Sequence, residues 1–418
     1  MRDMIGFSNI VRRSRRVALA ALLAMGVSAC ATHPPRQLEV AAPGTESLFP
    51  AGYEASRARF RRDCAVAAVK AGDVCGQWAT PSATDPDLTV EYGIFSRGGD
   101  RLLVIQSGIH GTEAPAGAAV QARVMRDYLP KLLVSGIDVV FVHALNPWGF
   151  KYGRRNDEFN VNLNRNFSAD GKTYEFPNPD YARLRGLFEP PGPVGSRFWG
   201  GAAVSAGFVG AFAANGFSDK ALSNGLDNGQ YQFPAGINYG GRGPQPQTAF
   251  LKQIVGPVLA RPYRKTLYLD FHTGLGDSGV LAVILGKSPA PEPLRDLQAM
   301  LGSYRPRGIE ITTPNDPGFF PTEGDVIDFL PSLSARPAAF LAVTMEYGTL
   351  GRGTKAQLES ASRMILENQK YNHGCRRADT CETIERETRE MFNPSDPVWR
   401  RAVIGEADLV FKTLLEKF

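Results

Sequence analysis

Residues 101–150 read RLLVIQSGIHGTEAPAGAAVQARVMRDYLPKLLVSGIDVVFVHALNPWGF. The run Leu102–Ser107 is rich in Leu, Val and Ile, is followed at once by glycine, and predicts a strand. Ala114–Leu133 carries a helical pattern, and Ile137–Leu145 predicts a second strand. A strand, a helix and another strand in one stretch form the repeating unit of a sheet covered by helices on both faces.

The same alternation continues outward. Strand-like runs occur at Leu88–Phe95, Thr266–Phe271, Val280–Leu285 and Phe340–Met345, and helical patterns at Thr248–Leu259, Lys355–Tyr371 and Pro397–Lys417. The expected fold class is therefore α/β, a three-layer α/β/α sandwich with a mixed, mostly parallel central sheet. Residues 51–418 read as one large domain without an internal repeat. Residues 188–245, rich in Gly, Phe and Asn, break the pattern and read as a long irregular loop, which in a compact domain is usually functional.

The N-terminus sets the expected compartment. Arg2, Arg12, Arg13, Arg15 and Arg16 precede the uncharged apolar run Val17–Val27, which is short for a membrane span and fits the core of a signal peptide over residues 1–29. Val27-Ser28-Ala29-Cys30 resembles a bacterial lipobox, in which the cysteine is acylated and becomes the mature N-terminus. Ordinary secretory cleavage near Ala29 is the alternative. Residues 30–50, rich in Pro and small residues, read as the lipidated N-terminus and its tether. Ala31 after the cysteine points to an outer membrane, facing the periplasm. The whole chain has 47 Lys+Arg against 42 Asp+Glu, but residues 1–29 hold five Arg and one Asp, leaving a nearly neutral remainder. No basic arm or patch suited to nucleic acid is evident.

Beyond Cys30 there remain Cys64, Cys75, Cys375 and Cys381, which allow three pairings. In an oxidising compartment the sequence-local one, Cys64–Cys75 and Cys375–Cys381, is the natural reading, with buried free thiols as the other option. No CxxC pair suggests a structural zinc site.

Four places carry chemistry, each at a strand end or in a loop. Ser107-Gly-Ile-His110-Gly-Thr-Glu113 sets an imidazole and a carboxylate three apart in a turn, where Gly108 and Gly111 allow a tight backbone path. Both groups are good zinc ligands, although HxxE alone is a weak signal. His272 stands where KTLYLDF runs into glycines, at the strand end where ligand sites of open α/β sheets form. His143 lies inside a strand and reads as a core residue, and His373 as a surface or capping group. Asn146-Pro-Trp-Gly-Phe, Arg154-Arg155 and Asn162-Leu-Asn164-Arg165-Asn166-Phe167 concentrate donors in one segment, either to grip a carboxylate or to knit a polar loop. Glu346 in Val343-Thr-Met-Glu-Tyr-Gly-Thr349 ends an apolar run, where a carboxylate is costly without a partner.

In this order, GIHGTE, NPWGF, LNRNF, DFHTG and EYGT resemble the zinc carboxypeptidase superfamily: the carboxypeptidase A-like enzymes and the related succinylglutamate desuccinylase and aspartoacylase branch. The similarity is greatest to uncharacterised bacterial members and runs from Gly108 to Thr349. The resemblance implies a zinc carboxypeptidase-like fold, with His110, Glu113 and His272 as zinc ligands and a fourth position open for water. It further implies that Glu346 is the general base and that Arg155, with Arg154 as competitor, polarises the scissile carbonyl. Asn164 and Arg165 would then grip the substrate carboxylate, and residues 229–241 would form a wall or lid. Asn162 stands where the wider family usually has Asp beside the first zinc histidine, which implies a weaker support for His110.

The implied activity is zinc-dependent hydrolysis of an amide near a free carboxylate, with a peptide or an N-acyl amino acid as substrate. A metallocarboxypeptidase is the leading reading. A deacylase of the desuccinylase/aspartoacylase type and a non-catalytic binding lipoprotein of the same fold are the alternatives.

Overall fold

The computed structural model describes residues 38–214, 220–302, 309–313 and 322–418. The signal peptide over 1–29, Cys30 and the first part of the tether lie outside the described residues. Eight strands form one sheet: β1 Val74–Ala79, β2 Thr89–Phe95, β3 Arg101–Ser107, β4 Ile137–His143, β5 Lys265–Gly274, β6 Leu281–Leu285, β7 Glu310–Thr312 and β8 Phe340–Gly348. Their order is β1-β2-β4-β3-β5-β8-β6-β7. The central run β4-β3-β5-β8 is parallel throughout, β6 and β7 pair in parallel, and β1, β2 and the β6–β8 contact are antiparallel. The sheet is mixed, as expected.

Side chains alternate across it. Leu103, Ile105, Leu269, Phe271, Leu341 and Val343 enter one apolar layer, while Leu102, Val104, Tyr268 and Ala342 enter the other. The longer helices are α1 Tyr53–Ala67, α2 Ala114–Asp127, α3 Pro179–Phe188, α4 Arg197–Ala214, α5 Lys220–Asp227, α6 Pro291–Leu301, α7 Thr354–His373, α8 Ala378–Phe392 and α9 Pro397–Lys417. Helices α1, α2, α6 and α9 cover the first face. The second is covered by the short helical segments between Pro246 and Leu259 and between Val326 and Leu333. With apolar residues on both faces, the central strands satisfy the three-layer arrangement.

Several boundaries differ from the sequence reading. The helix expected over Ala114–Leu133 breaks at Tyr128, because Pro130 cannot donate within a continuing helix and instead sits in the first turn of Leu129–Val134. The helix expected over Thr248–Leu259 begins at Pro246 and widens into a π turn at Leu251–Val255, next to Pro257. Residues 188–245 are not one irregular loop: they contain α4 and α5. Glycines through α4 hid it, since each lowers helix propensity, yet its Val204 and Phe208 pack into a core shared with α3 and α7, and Gly201 is buried. The cysteines join as Cys64–Cys75, fastening α1 to β1, and Cys375–Cys381, closing the turn between α7 and α8.

Candidate functional site

The three central parallel strands β3, β5 and β8 end side by side, and their C-terminal ends carry the candidate residues. After β3 the chain turns at Gly108, whose φ of +73° is a left-handed conformation that favours glycine. His110 follows, and Glu113 closes a short 3-10 turn that leads into α2. Gly111 lies against the backbone of Gly149, where an added Cβ would come 2.0 Å from the Gly149 carbonyl carbon. GIHGTE and NPWGF therefore pack backbone to backbone. Asn146 fixes the second of these, accepting from Gly149 N–H at 2.9 Å.

His272 projects from β5 and Glu346 from β8, and the two residues are paired neighbours in the parallel ladder. His110, Glu113 and His272 converge, with one ligand atom from each lying within 4.8 Å of the others. Nδ1 of His110 is 2.9 Å from Glu113 Oε1, and Nδ1 of His272 is 3.2 Å from Oε2 of the same carboxylate. All three side chains are buried. The remaining ring nitrogens face outward: His110 Nε2 meets Asn162 Oδ1 at 3.0 Å, and His272 Nε2 meets Asp270 Oδ2 at 2.7 Å. If each Nε2 carries the ring proton and donates it to its oxygen, both Nδ1 lone pairs point at Glu113.

That arrangement fits a cation. His110 Nδ1 is buried and makes no hydrogen bond, despite its closeness to Glu113. Two lone pairs aimed at a carboxylate need positive charge between them. The electrostatics agree: burial, then Arg155, pushes His110 down to about 3 and keeps it neutral. Burial alone would lower His272 too, but Asp270 and Glu113 outweigh it and hold it well above its ordinary value, so this position favours a positive charge, carried by a ring proton on Nδ1 or by a cation that replaces it. Imidazole and carboxylate at this spacing match a three-ligand metal site with open coordination.

Around the cluster, Arg155 Nε lies 3.5 Å from Glu113 Oε1, and its Nη1 donates to Asn238 Oδ1 at 3.1 Å. Arg154 points elsewhere. It is buried, pairs with Glu367 at 2.7 Å and lies 3.4 Å over the ring of Tyr371. Glu346 is buried, and its Oε1 accepts from Leu275 N–H at 2.8 Å. Burial, then the nearby Glu113, raises its pKa above the usual carboxylate range. Arg165 donates through Nε to the Asp227 carbonyl at 3.0 Å and through Nη1 to its neighbour's carbonyl at 2.7 Å. Asn164 donates one N–H to Asp325 at 3.1 Å, and its side-chain carbonyl accepts from Val326 N–H at 3.0 Å, so much of its amide serves the fold.

Three supporting groups were not singled out in the sequence. Asp270 precedes His272 by two positions, so strand alternation puts both on one face, a signal that was available. Asn238, within the wall segment 229–241, links Arg155 to Asn162, whose Nδ2 donates to it at 2.7 Å. Asp227 ends α5 beside Arg165 and is raised to about 6 by burial. Neither had a local signal. Of the other histidines, His143 lies in the core between Gln121 and Ser56 and stacks on Phe60, and His373 is exposed at the end of α7.

A protein family described as "Protein of unknown function (DUF2817)" matches residues 49–406. The chain belongs to that family. This DUF2817 chain is similar in structure to carboxypeptidase A from Helicoverpa armigera, with a TM-score of 0.44 at 13% identity over 91% of this chain and 81% of that one. It is similar to bovine thrombin-activatable fibrinolysis inhibitor, solved with tick carboxypeptidase inhibitor, with a TM-score of 0.44 at 12% identity over 88% and 98%. A succinylglutamate desuccinylase/aspartoacylase from Rhodobacter sphaeroides gives 0.35 at 13% identity over 73% and 66%. No curated protein sequence matches this DUF2817 chain.

Proposed function

We propose that the chain is a zinc-dependent hydrolase of the carboxypeptidase type, which cleaves an amide bond near a free carboxylate. The observation that carries the reading is the convergence of His110 Nδ1, His272 Nδ1 and Glu113 on one point, with Glu346 paired to His272 on the adjoining strand. Zinc held by these three residues would supply a Lewis acid and make water a better acid.

The chain's own groups supply the rest. Glu346, raised by burial, is suited to take a proton from water and to return it to the leaving amine. Arg155, rather than Arg154, has its guanidinium beside the cluster and can stabilise negative charge developing on the carbonyl oxygen. Arg165 offers its remaining N–H groups to a substrate carboxylate, oriented by the two carbonyls that hold it. Asp270 and Asn162 orient the two imidazoles. We further propose that the protein is exported and held to a membrane by a lipid on Cys30.

The test begins with metal. The chain from Thr32 onward should hold about one zinc per chain, as a three-ligand site does. His110→Ala and His272→Ala should each remove most of it. Undiminished zinc in both would end the ligand assignment. Glu346→Gln should keep the zinc and lose about 10²–10⁴ in turnover, the usual worth of general-base catalysis. A panel of peptides and N-acyl amino acids, each with free and amidated carboxylates, then separates carboxypeptidase from deacylase. Arg165→Ala should raise KM for the free carboxylates only.

A further inference from the structure

From Phe198 to Ala214, helix α4 contains no Lys, Arg, Asp or Glu. Its inner residues Gly201, Val204 and Phe208 are buried. Its outward residues include Phe198, Trp199, Ala202, Ala206, Gly210 and Ala213, which repeat at helical spacing and are all exposed. A helix that meets water normally turns charged or polar residues outward. One that is apolar all round belongs in a core or against another apolar phase. Phe198 and Trp199 are each 71% exposed, and their rings lie edge to face at 5.1 Å. A groove of about 520 Å³ opens beside them between α3 and α4, lined by Leu187, Pro190, Val194, Ala203 and Val204 among others. No helix among the described residues is long and apolar enough to cross a membrane.

Where the chain leaves the domain indicates what covers this face. Leu38 packs over Gly279, whose N–H donates to the Gly348 carbonyl at 2.9 Å. Gly348 ends β8 opposite Gly274 of β5. The N-terminal segment therefore departs from the end of the sheet that bears His272 and Glu346. Helix α4 starts beside the turn that joins α7 to α8, where Val194 N–H donates to the Gly374 carbonyl at 3.0 Å. Arg197 is ion-paired with Glu387 of α8, and α8 finishes at Phe392, whose carbonyl accepts from Thr273 beside His272. From Leu38 back to Cys30, extended chain reaches at most roughly 30 Å at about 3.6 Å per residue. A lipid on Cys30 would hold the domain, α4 included, near a bilayer, with Leu38 within that reach of it.

We propose that the outward face of α4 docks on the lipid bilayer, with Phe198 and Trp199 entering the headgroup boundary and the candidate active site turned toward the membrane. Trp and Phe suit that boundary because their rings bury apolar surface at the depth where the polar headgroups begin. The orientation rests on the lipidation of Cys30. The choice of the bilayer as occupant rests on it as well, and the docking is read without any hydrolysis.

The test uses the chain from Thr32 onward, which lacks the lipid and keeps every residue described in the structure. It is mixed with phosphatidylcholine vesicles and followed by flotation and tryptophan emission. The expected result is co-flotation with a blue-shifted emission that persists at high salt, because the contact is apolar rather than charged. The double variant Phe198→Asp/Trp199→Asp should partition at least about tenfold more weakly, and Ala206→Lys, on the same face, should shift in the same direction. Zinc content should not change in either variant, which keeps this outcome separate from failure of the hydrolase reading. Absence of wild-type flotation overturns the proposal. So does a concentration-dependent dimer that the same substitutions dissolve while vesicles bind neither form, since the face would then join two copies of the chain.

Discussion

Asn162 connects three parts of the site, and replacing it with aspartate pulls two measurable properties in opposite directions. Its Oδ1 accepts from His110 Nε2 and from Asn164 N–H, both at 3.0 Å, and its Nδ2 donates to Asn238 Oδ1 at 2.7 Å. Asn162→Asp keeps the acceptor, gives it full charge and replaces the donor with an oxygen. Asn238 cannot turn its amide to compensate. Its Oδ1 also accepts from Arg155, its Nδ2 donates to the Leu226 carbonyl at 2.6 Å, and its backbone sits at φ 51°. Two buried oxygens would then face each other without a proton between them, at a cost of about 1–3 kcal/mol. Metal-stripped variant protein should therefore unfold a few degrees below wild type. The new carboxylate should also raise the basicity of His110, and partners of this kind change metal affinity by about 10–100-fold. The folded variant should thus hold zinc on the order of tenfold more tightly. Thermal unfolding in chelator measures the first effect, and competition with a chromophoric chelator the second. A stripped variant that unfolds and competes as wild type does would show that Asn162 does not bridge His110 and Asn238.

Burial holds Glu406 at about 7 against an ordinary 4.5. Between those two pH values the unfolded chain releases a proton that the folded chain keeps, so stability falls as pH rises toward 7 and stays lowered above it, by up to about 3 kcal/mol. Glu406→Gln should therefore gain thermal stability over wild type near pH 8 and lose that advantage near pH 4; a pH-independent difference counts against the assignment. Arg154→Ala leaves Glu367 buried without its partner and should destabilise by about 3–5 kcal/mol with zinc content unchanged, whereas an effect on metal alone would put Arg154 in the site. Cys30→Ser should move the protein out of the membrane fraction, and a wild type that already fractionates as soluble and unlipidated removes the lipid anchor.

The central strands were legible because their apolar runs are uninterrupted and glycine ends them, as at Ser107-Gly108. The edge strand β1 was not, since Gly76 and alternating exposure leave little pattern in VCGQWA. Helix α1 was hidden by its charge: YEASRARFRRDCAVA buries only Tyr53, Ser56, Phe60 and Cys64. Helix α8 likewise shows an apolar face only once Ile384, Met391 and Phe392 are known to point inward. Among the site residues, His110, Glu113, His272, Arg155 and Glu346 were named from motifs, and the fold brings them to one strand-end surface. Their supports were less visible. Asn238 comes from a segment 76 residues beyond Asn162, and no local rule connects the two. The choice between Arg154 and Arg155 also needed three dimensions, because adjacent residues in a turn can face opposite ways. Here Glu367, from α7, claims Arg154.

The pairing of His272 with Glu346 across β5 and β8 has a consequence for how the chain reaches its native state. In both strands these polar residues alternate with Phe271, Met345 and Tyr347, which fill the layer under α2 and α9. Were β8 to slip by one position, its side chains would exchange faces, driving Glu346 into that oily layer and Met345 out of it. A carboxylate there, with no partner, is among the costliest errors a sheet can make. Glu346, proposed for the chemistry, thus also penalises the out-of-register sheet during assembly, before any substrate arrives.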